Sequence, residues 1–164
     1  MYKVVYSMKF NMKIDIFQDV FFMQKALLLA KRAEVTGEVP VGAVLTINNE
    51  VIGEGFNCPI TTSDPTAHAE VRTLRDAARK TGNYRLPRAT LYVTLEPCIM
   101  CVGAMLHARI ERLVFGASDP KTGAIVSVFK ILDEKRLNHQ IIFQGGVLAP
   151  ECGKILSDFF QNKR

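Results

Sequence analysis

Little in this chain points to a membrane, an export route or a modular assembly. No apolar run approaches the 18 or more residues that a bilayer-spanning helix needs. Residues Met1 to Lys13 mix Lys, Tyr and Ser with short apolar pieces. They hold neither the uninterrupted apolar core nor the cleavage site of a signal peptide, and they read as a flexible N-terminal extension. Repeats, long linkers and low-complexity tracts are missing, so one domain over 1–164 is expected, long enough for an ordinary core. Acids are scarcer than bases, 16 against 21, for a formal net charge of +5. That balance is a modest bias toward an anionic partner such as RNA. Cysteines number only four.

Two of those four stand in Pro97-Cys98-Ile99-Met100-Cys101, and a second short stretch, His68-Ala69-Glu70, supplies an imidazole and a carboxylate. Pro97 suits the first position of a helix, which sets Cys98 and Cys101 one turn apart at its positive end, where thiolates are favoured. Asp64-Pro65-Thr66 reads as another helix start, with Asp64 as cap, so His68 falls near the first turn of a helix over about Pro65 to Lys80. Residues two apart on a helix point to different sides, so His68 and Glu70 are poor joint ligands. His68, Cys98 and Cys101 are therefore the candidate zinc ligands, one ion per chain, and Glu70 the group beside them. Three protein ligands leave a fourth position open, as in catalytic sites. There, zinc lowers the pKa of a bound water to about 7, and a carboxylate can move its proton. A Cys-x-x-Cys pair alone is equally a redox pair or half of a structural zinc site; a closed structural site would need a fourth ligand, from Glu70 or Cys58. Cys58 and Cys152 read as free thiols in a reducing cytoplasm.

The remaining pattern alternates strands and helices. An amphipathic helix is expected over Ile14 to Arg32, with Phe17, Val20, Phe21, Gln24, Leu27, Leu28 and Lys31 on its inner face, as core or as a subunit contact. Val39 to Ile47 and Val51 to Phe56, joined at Asn48-Asn49, read as a hairpin. Asn57-Cys58-Pro59 then leads into a polar loop and puts Asn57 near the His68 helix; its ordinary role would be a turn residue. The Pro65 helix should bury Val71, Leu74, Ala77 and Ala78. Thr90 to Leu95 is a strand, followed by the cysteine helix to about Ala108 and a strand over Arg112 to Gly116. Strand, helix, strand implies a parallel crossover, and both ligand-bearing helices then start at the rim where open α/β sheets bind ligands. Glu96 reads as a carboxylate beside a helix N-terminus, and His107 as a partly buried histidine. Asp119-Pro120-Lys121-Thr122-Gly123 is a turn at the same rim. Ile125 to Leu137 is a short helix or irregular, and Gln140 to Gln144 a strand. Glu151 to about Lys163 is a last helix, where Phe159-Phe160 followed by Lys163-Arg164 reads as a core-facing Phe beside an exposed tail, with RNA stacking as the alternative.

His-x-Glu followed by Pro-Cys-x-x-Cys is the signature of the zinc nucleobase deaminases. More of the chain resembles the bacterial tRNA-specific adenosine deaminases, the TadA family, from roughly Asp19 to Phe160. The likeness rests on Val39-Pro40-Val41-Gly42-Ala43-Val44, Gly53-Glu54-Gly55-Phe56-Asn57, Asp64-Pro65-Thr66-Ala67-His68-Ala69-Glu70, Asn83-Tyr84-Arg85-Leu86, Thr90 through Cys98, Gly103-Ala104-Met105, Val114-Phe115-Gly116-Ala117 and Asp119 through Ala124. That resemblance implies a cytidine deaminase-like fold, a three-layer α/β/α sandwich around a mixed five-stranded sheet. It implies a zinc-dependent, hydrolytic conversion of adenosine to inosine at the wobble position of a tRNA anticodon stem-loop, by a cytoplasmic homodimer. It also implies that Asn57 contacts the target nucleotide, that Asp119 lies near a ribose and that Lys121 lies near a phosphate. The backbone N–H of Ala69 or Cys98, at a helix start, would help hold the oxygen at the metal. Two departures stand out: Ile125-Val126 is bulkier than expected beside Gly123-Ala124, and Cys58 replaces a polar residue. The alternatives are a deaminase of free guanine or cytosine, or of a nucleoside, and a non-catalytic, zinc-stabilised RNA-binding subunit. Glu70 separates the last from an enzyme, because a structural site has no need of it.

Overall fold

The computed structural model describes residues 15–163; the expected extension over 1–13 lies outside them. Five strands, β1 (Gly42–Ile47), β2 (Glu50–Phe56), β3 (Thr90–Leu95), β4 (Arg112–Ala117) and β5 (Ile142–Gly145), form one sheet in the order β2-β1-β3-β4-β5. β1 is antiparallel to both β2 and β3, while β3, β4 and β5 run parallel. The β1–β2 hairpin turns at Asn48 and Asn49, whose φ values of 50° and 65° match the twist of a two-residue hairpin turn.

The helices are α1 (Ile16–Val35), α2 (Pro59–Thr62), α3 (Ala69–Thr81), α4 (Ile99–Ala108) and α5 (Ala149–Asn162), with a single 3₁₀ turn at Ile131–Asp133. Side-chain alternation along the strands sorts the core into two layers. Ala43, Leu45, Leu91, Val93, Leu113 and Phe115 pack with α3 and α4. Val44, Tyr92 and Val114 pack with α1 and with Cys152 of α5. This is the expected three-layer α/β/α sandwich around a mixed five-stranded sheet. No helix among the described residues is long and apolar enough to cross a membrane.

Several expected boundaries and faces are corrected. α1 starts at Ile16 because the Asp15 carboxylate accepts from the N–H groups of Phe17 and Gln18 at 3.1 and 3.3 Å. It buries Asp19, Phe22, Met23, Ala26, Leu29, Ala30 and Ala33, not the Phe17 row; Phe17 is 85% exposed and Leu28 62%. Apolar residues surround this helix, so periodicity alone does not choose a face, and the chosen face contains an acid. α3 begins at Ala69, four residues after Pro65, because Asp64 instead accepts from the N–H and hydroxyl of Thr66 and closes a turn. Likewise α4 begins after Cys98, not at Pro97. The expected polar loop after Asn57 contains α2, and His107 is exposed, not partly buried.

The acid on the buried face of α1 is balanced. Both oxygens of Asp19 take a bidentate pair of 2.7 Å bonds from Arg112 on β4. Tyr92 of β3 donates to Asp19 at 3.1 Å, and Arg112 also donates to Gln144 of β5 at 2.7 Å. One helix and three strands are thus joined by a satisfied, buried network. Asp19→Ala should cost about 3–5 kcal/mol in urea unfolding, because it strands the Arg112 charge. Replacing both partners together, as Asp19→Leu with Arg112→Met, should recover most of that loss.

Candidate metal centre and active site

His68 and Cys98 occupy equivalent places, each the residue immediately before a helix. Their backbones are extended, with ψ of 152° and 173°, as N-cap residues require. The β2–α2–α3 segment and the β3–α4 junction deliver them to the same rim of the sheet, because β2 and β3 run in the same direction on either side of β1. Close approach of α3 to β2 depends on Gly55: a Cβ there would lie 2.7 Å from Ala69 O, Thr73 N and Thr73 Oγ1.

The three candidate ligands converge. His68 Nδ1 lies 3.7 Å from Cys98 Sγ and 3.6 Å from Cys101 Sγ, and the two sulfurs are 3.8 Å apart. Tetrahedral bonds of about 2.3 Å to sulfur and about 2.0 Å to nitrogen separate donor atoms by roughly 3.5–3.8 Å. The triangle therefore fits three corners of a tetrahedral metal site without rearrangement. Hydrogen bonding with Cys101, aided by His68, pulls the Cys98 thiol down to about 4, while Cys101 is pushed far above its ordinary range by Cys98 and by burial. His68 is raised, chiefly by its contact with Cys98.

Glu70 is the second residue of α3 and is buried. Burial pushes its carboxyl up to about 7; its own backbone N–H and His68 oppose that rise, and Cys98 adds to it. A carboxyl poised between its charged and neutral forms near neutrality, next to a metal-ligand triangle, is suited to exchanging protons.

Asn57, at the end of β2, lies where the sequence placed it. Its Oδ1 accepts the Ala69 N–H at 2.9 Å. The Ala69 donor is thereby committed to Asn57, while the side-chain Nδ2 makes no hydrogen bond among the described residues. Asp119 closes its own turn: Oδ1 accepts from the N–H groups of Lys121 and Thr122 at 2.9 and 3.3 Å, and Oδ2 from the Thr122 hydroxyl at 2.6 Å. Lys121 is exposed on that turn. Cys58 and Cys152 are buried free thiols. Cys58 Sγ, which stands where a polar residue was expected, accepts from the Arg72 guanidinium.

Sequence reasoning passed over one carboxylate at this rim. Glu38 is buried and accepts from Thr61 N–H (2.7 Å), Thr61 hydroxyl (2.8 Å) and Ile60 N–H (3.4 Å), so it holds the start of α2 behind Asn57. Its one sequence signal was Pro59, a helix-start residue following Asn57-Cys58.

A mixed sheet in which two helix starts bring one histidine and two cysteines to a single rim, with a buried glutamate beside them, has the architecture of a nucleobase deaminase. The comparisons agree. A family model described as MafB19-like deaminase matches residues 17–164. The tRNA-specific adenosine deaminase of Haemophilus influenzae is 57% identical over 147 residues, 89% of this chain and 85% of that protein. Its Bacillus subtilis counterpart is 48% identical over 147 residues, 90% and 91% of the two chains. A solved tRNA:A34 deaminase, studied for A-to-I editing at the wobble position of transfer RNA, superposes with a TM-score of 0.80 at 43% identity, over 83% of this chain and 99% of its own. The chain belongs to the MafB19-like deaminase family and to the tRNA-specific adenosine deaminases.

Removing the Asn57 acceptor should be felt in stability. Asn57→Ala leaves the buried Ala69 N–H without a partner and should cost about 1–3 kcal/mol in thermal or urea unfolding, while Asn57→Asp, which keeps an acceptor in place, should cost less.

Proposed function

We propose that this protein converts adenosine to inosine at the wobble position of a tRNA anticodon stem-loop, with one zinc ion held by His68, Cys98 and Cys101. The observation that carries this reading is the ligand triangle with buried Glu70 alongside it. The membership of the chain among tRNA-specific adenosine deaminases supplies the substrate. When bound, zinc supplies a Lewis acid that makes a water nucleophilic at neutral pH. Glu70 takes a proton from the water that attacks C6, gives a proton to the purine ring nitrogen, and assists the departure of the amino group as ammonia. Water and adenosine in, inosine and ammonia out: the reaction balances with no other co-reactant.

Asn57 serves as a positioning and binding residue. Its Oδ1 is fixed by the Ala69 N–H, which leaves Nδ2 to face the target nucleotide. Ala69 enters the site through that bond. Asp119 and Lys121 present the 119–123 turn to the RNA, Asp119 near a ribose and Lys121 near a phosphate. An anticodon-loop base is already unpaired, so extruding it costs less than opening a duplex. The net charge of +5 favours such a partner. The reading extends to a cytoplasmic homodimer. Exposed Ile99, Val128 and Phe129 beside the rim suit a subunit contact, and the buried free thiols Cys58 and Cys152 suit a reducing compartment.

The deciding assay incubates the zinc-loaded protein with an anticodon stem-loop bearing wobble adenosine, and separately with free guanine and cytosine. Inosine is expected, with neither xanthine nor uracil. Atomic emission should find about one zinc per chain, lost in Cys101→Ser. Glu70→Gln should keep zinc and fold yet lose about 10²–10⁴ in kcat; turnover near wild type would remove the proton-transfer role.

Lys121 has its own readout. Lys121→Ala should weaken stem-loop binding and reduce the slope of log K against log salt by about 0.7, the share of one single-stranded phosphate contact. An unchanged slope would take Lys121 off the phosphate.

A further inference from the structure

Glu96 is the last residue before Pro97-Cys98, and its carboxylate is buried at the rim. It does more than sit near a helix N-terminus. Oε1 accepts three consecutive backbone N–H groups, from Ile125 at 3.0 Å, Val126 at 2.8 Å and Ser127 at 3.0 Å. Oε2 accepts the Asp119 N–H at 3.0 Å and the Ser127 hydroxyl. Five donors from one loop thus converge on a group with about four lone-pair sites, which leaves it saturated.

The loop is also shaped to reach that carboxylate. A Cβ on Gly123 would lie 2.5 Å from Glu96 Cδ and Oε2, so only glycine lets the chain pass so close. The Ala124 N–H bonds to Pro97 O at 2.8 Å, a second staple on the strand–helix junction that delivers Cys98. Ile125 turns its side chain into the core, 1% exposed, which directs its N–H at Glu96 and explains how a bulky residue fits beside Gly123-Ala124. The same carboxylate therefore grips both ends of the segment that presents Asp119 and Lys121, from a position two residues before a metal ligand.

We propose that Glu96 is a positioning residue for RNA recognition: it fixes the 119–127 loop relative to the metal-ligand triangle, so that the loop meets the nucleotides flanking the target adenosine while the base lies at the metal. This rests on the function proposed above. A loop free to shift relative to Cys98 would lose register between flank recognition and the reacting base, and such misplacement acts on substrate positioning. Glu96 makes its side-chain hydrogen bonds to the loop and none to His68, Cys98 or Cys101. Its effect runs through the backbone of the loop.

The test uses the zinc-loaded full chain and anticodon stem-loops of two kinds, one with the natural neighbours of the target adenosine and one with those neighbours exchanged. Glu96→Ala should raise KM for the natural stem-loop about tenfold or more and reduce the discrimination between the two RNAs, with zinc still at one per chain and kcat within about threefold. Glu96→Gln keeps an oxygen for the three consecutive N–H groups but sets an NH₂ against the Asp119 N–H, so it should fall between Glu96→Ala and wild type. Ser127→Ala, which removes one donor and leaves the carboxylate intact, should raise KM by about threefold. If Glu96→Ala does not fold, the comparison rests on Glu96→Gln and Ser127→Ala. Wild-type KM and wild-type discrimination in the folded variants would overturn the proposal. So would loss of zinc and kcat together at unchanged KM, which would place Glu96 in support of the metal site. Failure of the wild-type protein to deaminate the stem-loop would overturn the function and this inference together, whereas an active wild type with indifferent variants overturns the inference alone.

Discussion

An α-helix leaves its first N–H groups without intrahelical partners and gathers positive potential there. This chain aims two such ends at one point. α3 and α4 start at a shared rim, and each opens with a candidate metal ligand in the N-cap place: His68 and Cys98. The thiols of Cys98 and Cys101 and the carboxyl of Glu70 therefore lie in the first turns of helices, where negative charge is favoured. Had the helices started at Pro65 and Pro97, His68 would have been turned into regular helix. In the extended N-cap conformation, residues from segments thirty positions apart in sequence meet within 3.8 Å.

Convergence of this kind needs its surroundings held still, and buried carboxylates do much of that work. Asp19 ties α1 to three strands through Arg112, Tyr92 and Gln144. Glu38 holds the start of α2 behind Asn57. Glu96 gathers the 119–127 loop. Each acid is met by several donors, as burial of charge requires. Glu38 shows the balance: burial alone would raise its carboxyl, but the bonds from Thr61 and Ile60 outweigh that and hold it below its ordinary range. Glu70 is the exception. Few donors compensate its burial, and it is pushed up to about 7. Within one molecule, Glu38 and Glu96 are held below the ordinary carboxyl range by their hydrogen-bond donors, and the acid beside the candidate ligand triangle is kept ready to hold a proton.

What the sequence revealed follows from the range of each signal. The Cys98/Cys101 spacing and the His68-x-Glu70 pairing are local and chemically specific, so they could be read directly. The β3 strand over Thr90–Leu95 and the hairpin turn at Asn48-Asn49 are also local and came out in place. The α1 face did not. Its choice depends on Arg112, 93 residues away, neutralising Asp19, and no periodicity contains that information. The helix starts moved because a proline marks a permitted N1 position but does not enforce it: the Asp64 side chain found Thr66, and Cys98 took the cap. The hub role of Glu96 was equally hidden, since four of its five donors are backbone groups of a loop 23 to 31 residues downstream.

Those distances bear on how the site tolerates change. The ligand triangle rests on two short junctions, β2–α2–α3 and β3–α4, each with its own carboxylate anchor outside the triangle itself. Glu38 and Glu96 therefore lie outside the candidate ligand set, and they grip their loops mainly through main-chain N–H groups, with Gly123 the position where a side chain would collide with Glu96. Glu38 holds the α2 side of the rim through Thr61 and Ile60, and Glu96 the Asp119 side. Each anchor acts on its own loop and not on the candidate ligand atoms. The separation follows from backbone hydrogen bonding: both anchors bind mostly main-chain N–H groups, which every residue but proline supplies.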